Sequence, residues 1–276
     1  MGVLSNSLVM KVFLQDGVLS SPKNILHINL AFANILVVAG FPFSGLSCFH
    51  GRWLFGKVGC DLYGIESYTG GIASFTFVIL LCFERYLSNC HRELYKRTDS
   101  FTWWLVSMVT WLHALVFGIS PIFGWSEYSI EASGVACGPN WMRNDLNHVS
   151  YIGVMCLEAG ILLVLAILCI NAAKKRVDSP IIEKISATSW FSEKQLVWIC
   201  FSFVMIAAVG WGPYAYFAVW TLASDIKSIS MLAASCPPLF AKASASLYAI
   251  PYLVAAEQFR ERFCGVQFTE MERKSE

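Results

Sequence analysis

The sequence predicts an all-α fold, a bundle of seven membrane-crossing helices, and three observations carry that prediction. Hydrophobic residues make up 56% of the 276 positions and the mean hydropathy is +0.56, too apolar for an ordinary soluble domain of this length. The apolar residues gather into long runs, most of them near or above the roughly 20 residues that a helix needs to cross a bilayer. Lysine and arginine then fall on alternate loops, the pattern of a chain that keeps its positive charge on one side of a membrane. A formal net charge of +1 leaves no basic excess that would point to nucleic acid.

The elements follow in order. Residues 2–14 are apolar but too short to span, with no signal peptide before them, and are expected to be the inner half of a helix whose first half is missing. Residues 15–23, with Ser20-Ser21-Pro22, form a loop. The second span covers 24–49 and carries Asn34 among apolar residues. The third covers 60–90, the tryptophan-rich fourth 101–123, and a long polar loop over 124–148 leads to the fifth at 149–173. A charged loop, 174–194, precedes the sixth span at 195–222, and a turn at 225–230 enters the seventh at 231–256. Residues 257–264 alternate charge and aromatic, which suits a short helix lying on the membrane surface, and Cys264 at its end is a lipidation candidate. Residues 1–264 are thus expected to form the membrane domain and 265–276 a cytoplasmic tail.

Orientation comes from the basic residues. Lys11, Lys23, Arg85, Arg92, Lys96, Arg97, Lys174, Lys175, Arg176, Lys184, Lys194 and the tail's Arg260, Arg262, Arg273 and Lys274 occupy one set of loops. Only Arg52, Lys57, Arg143 and Lys227 occupy the other. The first set is expected in the cytoplasm with the C-terminus, leaving the N-terminus outside.

Several residues carry chemistry. Lys242 lies near the middle of the seventh span, where a charged ammonium costs at least ~2.5 kcal/mol. It either lines a polar cavity or is consumed in a Schiff base with an aldehyde, a known use of a lysine in an apolar site. Cys60 and Cys137 both fall on the oxidising side and can bridge, with Cys48 and Cys236 as competitors. Glu84-Arg85-Tyr86 at the inner end of span three is either an interfacial charge cluster or half of a latch whose other half is Glu193. Pro213 should kink span six. Trp211 just before it either packs the core or senses a ligand. Glu158, inside span five, is a functional candidate because ionisable groups in spans are expensive.

Taken together, Glu84-Arg85-Tyr86, the Cys60 and Cys137 pair, Trp211-Gly212-Pro213-Tyr214-Ala215 and Phe240-Ala241-Lys242 resemble the rhodopsin-like receptors, and within them the opsins, over residues 2–264. The specific element is Phe-Ala-Lys followed seventeen residues after Lys242 by Phe259. Ser47-Cys48-Phe49, residues 52–56 and Tyr214-Ala215 look closest to the non-visual neuropsin branch, with peropsins and retinal photoisomerases next. The resemblance implies retinal bound to Lys242, with Trp211 and Tyr214 beside it, Glu158 near its far end, and Tyr252 among the switch residues. It also implies a heterotrimeric G protein as partner and a multi-pass place in the plasma membrane.

A protonated retinal imine needs an anion. Vertebrate visual opsins supply a glutamate three residues after the first bridge cysteine, and this chain has Tyr63 there. Glu131, six residues before Cys137, matches the family's alternative acid; the competing reading is a solvated loop glutamate. Three features depart from the family: Asn34 replaces an aspartate, Tyr248-Ala249-Ile250-Pro251-Tyr252 moves the proline of Asn-Pro-x-x-Tyr, and half a helix is missing. Ultraviolet-sensitive neuropsins carry a lysine at the place of Phe41, so visible absorption is expected here. The leading expectation is a light-sensing receptor. A retinal photoisomerase with little signalling comes second, and a receptor for a diffusible ligand third.

Overall fold

The computed structural model describes residues 1–15, 24–177, 191–223 and 230–264. The expected loop around 16–23, most of the charged loop between spans five and six, Asp225, Lys227 and the tail 265–276 lie outside the described residues. Among the described residues five helices are long and apolar enough to cross a membrane, and a short first helix and a broken last one complete the bundle of seven.

Span one is Gly2–Gln15, 14 residues and so about 21 Å long. Span two is expected as one helix but breaks into Asn24–Ala39 and Phe41–Phe49 around Gly40. Pro42 falls in the first turn of the second piece, where its missing N–H is no loss. Span three, Gly56–Cys90, is 35 residues long and starts four residues before the expected boundary, after a turn with Gly56 at φ +62°. Span four, Ser100–Ile119, is capped by Asp99, whose side chain accepts from the Thr102 N–H at 2.9 Å, and ends in a 3-10 turn at Ser120–Phe123. Spans five, Leu146–Val177, and six, Glu193–Ala223, each outrun their expected limits by a few residues, and Pro213 lies inside the latter.

Span seven is where the sequence reading was too simple. It runs as Met231–Ser244, a 3-10 turn at Leu247–Ala249, and a short helix at Ile250–Ala255. Pro251 cannot donate a backbone hydrogen bond to the preceding turn, so the helix tightens and restarts there. The surface helix follows at Glu257–Cys264, as expected, and Cys264 is its last residue.

Span three is the hub, packed against spans two, four, five and six. Its buried face, with Phe77, Leu81 and Cys82, meets Ile199 and Phe203 of span six. A polar bridge binds the spans lower down: Ser74 Oγ donates to Asn34 Oδ1 at 2.7 Å, and Asn6 Nδ2 donates to the Ala245 carbonyl at 2.9 Å. In hydrocarbon, such satisfied amides join helices that have little hydrophobic reason to prefer each other over lipid. Between spans four and five the chain forms a hairpin of β1, Tyr128–Ile130, and β2, Cys137–Pro139.

Candidate functional site

Lys242 sits near the end of the first half of span seven and sends its amine into a cavity inside the bundle. The cavity has a volume of about 180 Å³, where a single water needs only ~10–15 Å³. Its walls are mostly apolar and aromatic: Ile72 and Phe75 from span three, Ile152 and Met155 from span five, Trp211, Tyr214 and Ala218 from span six. Trp211 seats on Gly71, where any side chain would collide with its ring. The hydroxyls of Tyr68 and Tyr214 meet in a hydrogen bond across the cavity wall.

The Lys242 amine donates directly to the Tyr63 hydroxyl. It also stands 4.1 Å from the centre of the Tyr63 ring and 5.5 Å from that of Phe41, so the cation is cradled by two aromatic faces. Glu131 reaches the same cavity from the tight turn between β1 and β2, its backbone N–H bonded to the Ala136 carbonyl at 2.9 Å. Burial pushes its carboxyl up to about 7, against the opposing pull of the Lys242 charge. Lys242's direct partner is therefore Tyr63, with Glu131 acting through the field.

The hairpin is fastened over the cavity by a disulfide and by hydrogen bonds, among them one from the Tyr128 hydroxyl to the Gly118 carbonyl at 2.8 Å. A disulfide joins Cys60 to Cys137, with the Cα atoms 5.4 Å apart, while Cys48 and Cys236 are free thiols. Lys57 Nζ donates to the Tyr128 carbonyl at 3.0 Å. Glu158 lines the cavity from span five, and the structure adds a partner that sequence reading missed: His113 Nε2 of span four lies 2.9 Å from its Oε1. Glu66, also passed over, stands in span three where the charge of Lys242 acts on it. Its signal in the sequence was an acid inside a span, three residues after Tyr63 and hence on the same helical face.

At the opposite end of span three, Glu84 and Arg85 are both buried. Arg85 is held by Glu84 through two nitrogens, and its Nη1 donates to Glu193 Oε2 at 2.7 Å. Tyr95 donates to Glu84 at 2.6 Å and Asn89 to Glu193 at 3.3 Å, so each carboxylate has a second donor. Tyr86 points elsewhere, to His91 Nε2 at 2.8 Å. Tyr252 bonds to His27 Nδ1 at 2.6 Å inside a cage of Phe13, Phe203 and Phe259.

A family model for the 7 transmembrane receptor (rhodopsin family) matches residues 5–252. The chain belongs to that family. Among its relatives, the visual pigment-like receptor peropsin of Homo sapiens is 29% identical over 94% of this chain and 78% of its own length. The retinochrome of Todarodes pacificus is 27% identical over 82% and 76%, and the G0-coupled rhodopsin of Mizuhopecten yessoensis 29% over 94% and 67%. The crystal structure of squid rhodopsin superposes with a TM-score of 0.85 at 25% identity, covering 99% of this chain and 85% of that one. This rhodopsin-family member is thus a multi-pass membrane protein of the opsin group, and peropsin among its relatives agrees with the expected non-visual branch.

Proposed function

We propose that this opsin is a light-sensing receptor that holds retinal through a Schiff base on Lys242. The observation that carries the reading is a single amine projecting into a mostly apolar cavity, in contact with a hydroxyl and two aromatic faces. The donor set fits the group. An elongated polyene aldehyde asks for apolar walls and one amine at one end. Retinal supplies light absorption and a change of shape; the chain supplies the rest. Tyr63 orients the Lys242 nitrogen, Glu131 is the proposed counterion, and Trp211 and Tyr214 wall the cavity where a change of ligand shape presses on span six. The hairpin excludes water, which raises the value of every charge beneath it. Glu158, with His113, bounds the cavity at spans four and five.

The Arg85–Glu193 pair joins spans three and six, and its opening would free span six for a heterotrimeric G protein to dock on the side where Lys174, Lys175 and Arg176 end span five. That side is proposed as cytoplasmic, with the N-terminus outside, Cys264 at a lipidation position on the surface helix, and residues 265–276 as tail. The second reading, a retinal photoisomerase with little signalling, draws support from span seven, where Tyr248 stands in place of the family's asparagine with its hydroxyl buried. Light-dependent nucleotide exchange on purified G protein, run beside chromatography of bound retinal before and after illumination, tests both. Exchange supports the receptor; isomer turnover without exchange supports the isomerase; neither one rejects both.

A further inference from the structure

We propose that Glu66 is a second acid of the Lys242 site, sharing with Glu131 the negative charge that holds a proton on the Lys242 nitrogen. The inference rests on the reading of Lys242 as the retinal-binding lysine. Glu66 follows Tyr63 by three residues on span three, so their side chains share one face, a turn apart. Tyr63 is the direct partner of the Lys242 amine, which places Glu66 one turn deeper beside the same cation.

Gly40, at the break in span two, locates the carboxylate. A methyl group there would stand 2.8 Å from Tyr63 Cε2 and 3.0 Å from Glu66 Oε2, so only glycine leaves the tyrosine ring and the acid lying side by side. No hydrogen bond or ion pair reaches Glu66 among the described residues, and the charge acting on it is that of Lys242. An acid inside a span is expensive unless a cation answers it, and Lys242 is the cation in place.

Among the described residues, the acids on which the Lys242 charge acts are Glu66 from span three and Glu131 from the hairpin; Tyr63 of span three touches the amine, the break in span two contributes Phe41, and Glu158 lines the cavity from span five in a pair with His113. Burial pushes the Glu131 carboxyl up to about 7, so a second acid beside Lys242 adds counter-charge where Glu131 is partly protonated. Glu66 is the acid positioned to supply it.

The test is a pair of titrations on the whole receptor in detergent. In the retinal-loaded protein the visible band is followed against pH. Removing an anion beside a cation lowers the cation's midpoint, so Glu66→Gln is expected to lower it by about 1–3 pH units. Glu131→Gln should lower it as well, the double variant further than either, and Glu66→Asp should stay close to wild type. Added formate should restore part of the band in Glu66→Gln, an effect that altered packing alone does not give. In the retinal-free protein, lysines are reductively methylated with ¹³C-formaldehyde, and the Lys242 signal is assigned by its absence in Lys242→Ala. That signal should titrate at lower pH in Glu66→Gln. Unchanged midpoints in both states overturn the proposal, as does an equal shift in Glu66→Gln and Glu66→Asp. If wild type takes up no retinal, the underlying reading fails instead, and the retinal-free titration still decides whether Glu66 acts on Lys242.

Discussion

The two ends of span three hold charge in opposite ways. At the Arg85 end a buried guanidinium lies between Glu84 and Glu193, and Tyr95 and Asn89 donate to the carboxylates that face it. At the Lys242 end the amine has a neutral hydroxyl as its direct partner, and its two acids act on it through the field. The first arrangement is closed, and a buried ion pair that loses one member strands the other at a cost of about 3–5 kcal/mol. The second is open, with room for a ligand and acids whose protonation responds to what the nitrogen becomes. A receptor needs both kinds: a site whose electrostatics can be changed by its ligand, and a remote contact that stays shut until the helices move.

The contrast breaks most completely with Lys242→Ala. The variant should insert normally and bind no covalent chromophore; retinal still attached after borohydride trapping and denaturation would refute the assignment. Glu131→Gln tests the open end by stability. The carboxyl is raised from 4.5 to about 7, so the folded state keeps a proton that the unfolded chain releases between those values. Stability contributed by this group therefore falls as pH rises from about 4.5 to about 7 and is level above. The variant should erase that fall, gaining at most about 3 kcal/mol over wild type at pH 8 and nothing at pH 4. Thermal midpoints of the retinal-free protein across that range provide the measurement, and parallel curves would count against it.

Phe41→Lys places a cation where the ring now lies 5.5 Å from the Lys242 nitrogen. The wild-type dark pigment should absorb in the visible at neutral pH, and the variant should move toward the ultraviolet, because a like charge lowers the imine midpoint by about 1–3 units. A wild-type maximum already in the ultraviolet would show that another residue controls the proton. Glu193→Gln tests the closed end and should change least in stability, on the order of 1 kcal/mol, since Glu84 still holds Arg85 through two nitrogens and the glutamine keeps an acceptor for it. Light-independent nucleotide exchange should nonetheless rise several-fold, and an unchanged basal rate would argue that Glu84 alone restrains Arg85.

Much of this was legible in the sequence because membranes simplify it. Hydropathy found the spans, since length and apolarity are what a bilayer selects. Cys60 at the outer end of span three and Cys137 in the outer loop made the bridge a candidate beside Cys48 and Cys236, and the pairing of Arg85 with Glu193 followed from two helix ends on one side. Breaks inside helices were harder. Gly40 and Pro251 mark them, yet hydropathy runs straight through both, because backbone geometry leaves no trace in apolar content. The partners of polar groups were harder still: His113 with Glu158 and Glu66 beside Tyr63 depend on the rotation of each helix, which packing sets and composition does not.

The hydrogen bond between Tyr252 and His27 has a consequence of its own. In a cage of phenyl rings the bond contributes only about 1 kcal/mol to the resting state, whereas each polar atom left dry when it opens costs about 1–3 kcal/mol. Partial displacement of the tyrosine is therefore the worst arrangement available to its hydroxyl, which has then left one partner and not yet reached another. The hydroxyl either keeps its histidine or leaves for water or another acceptor altogether. That corner of the bundle behaves as a toggle and not as a dial.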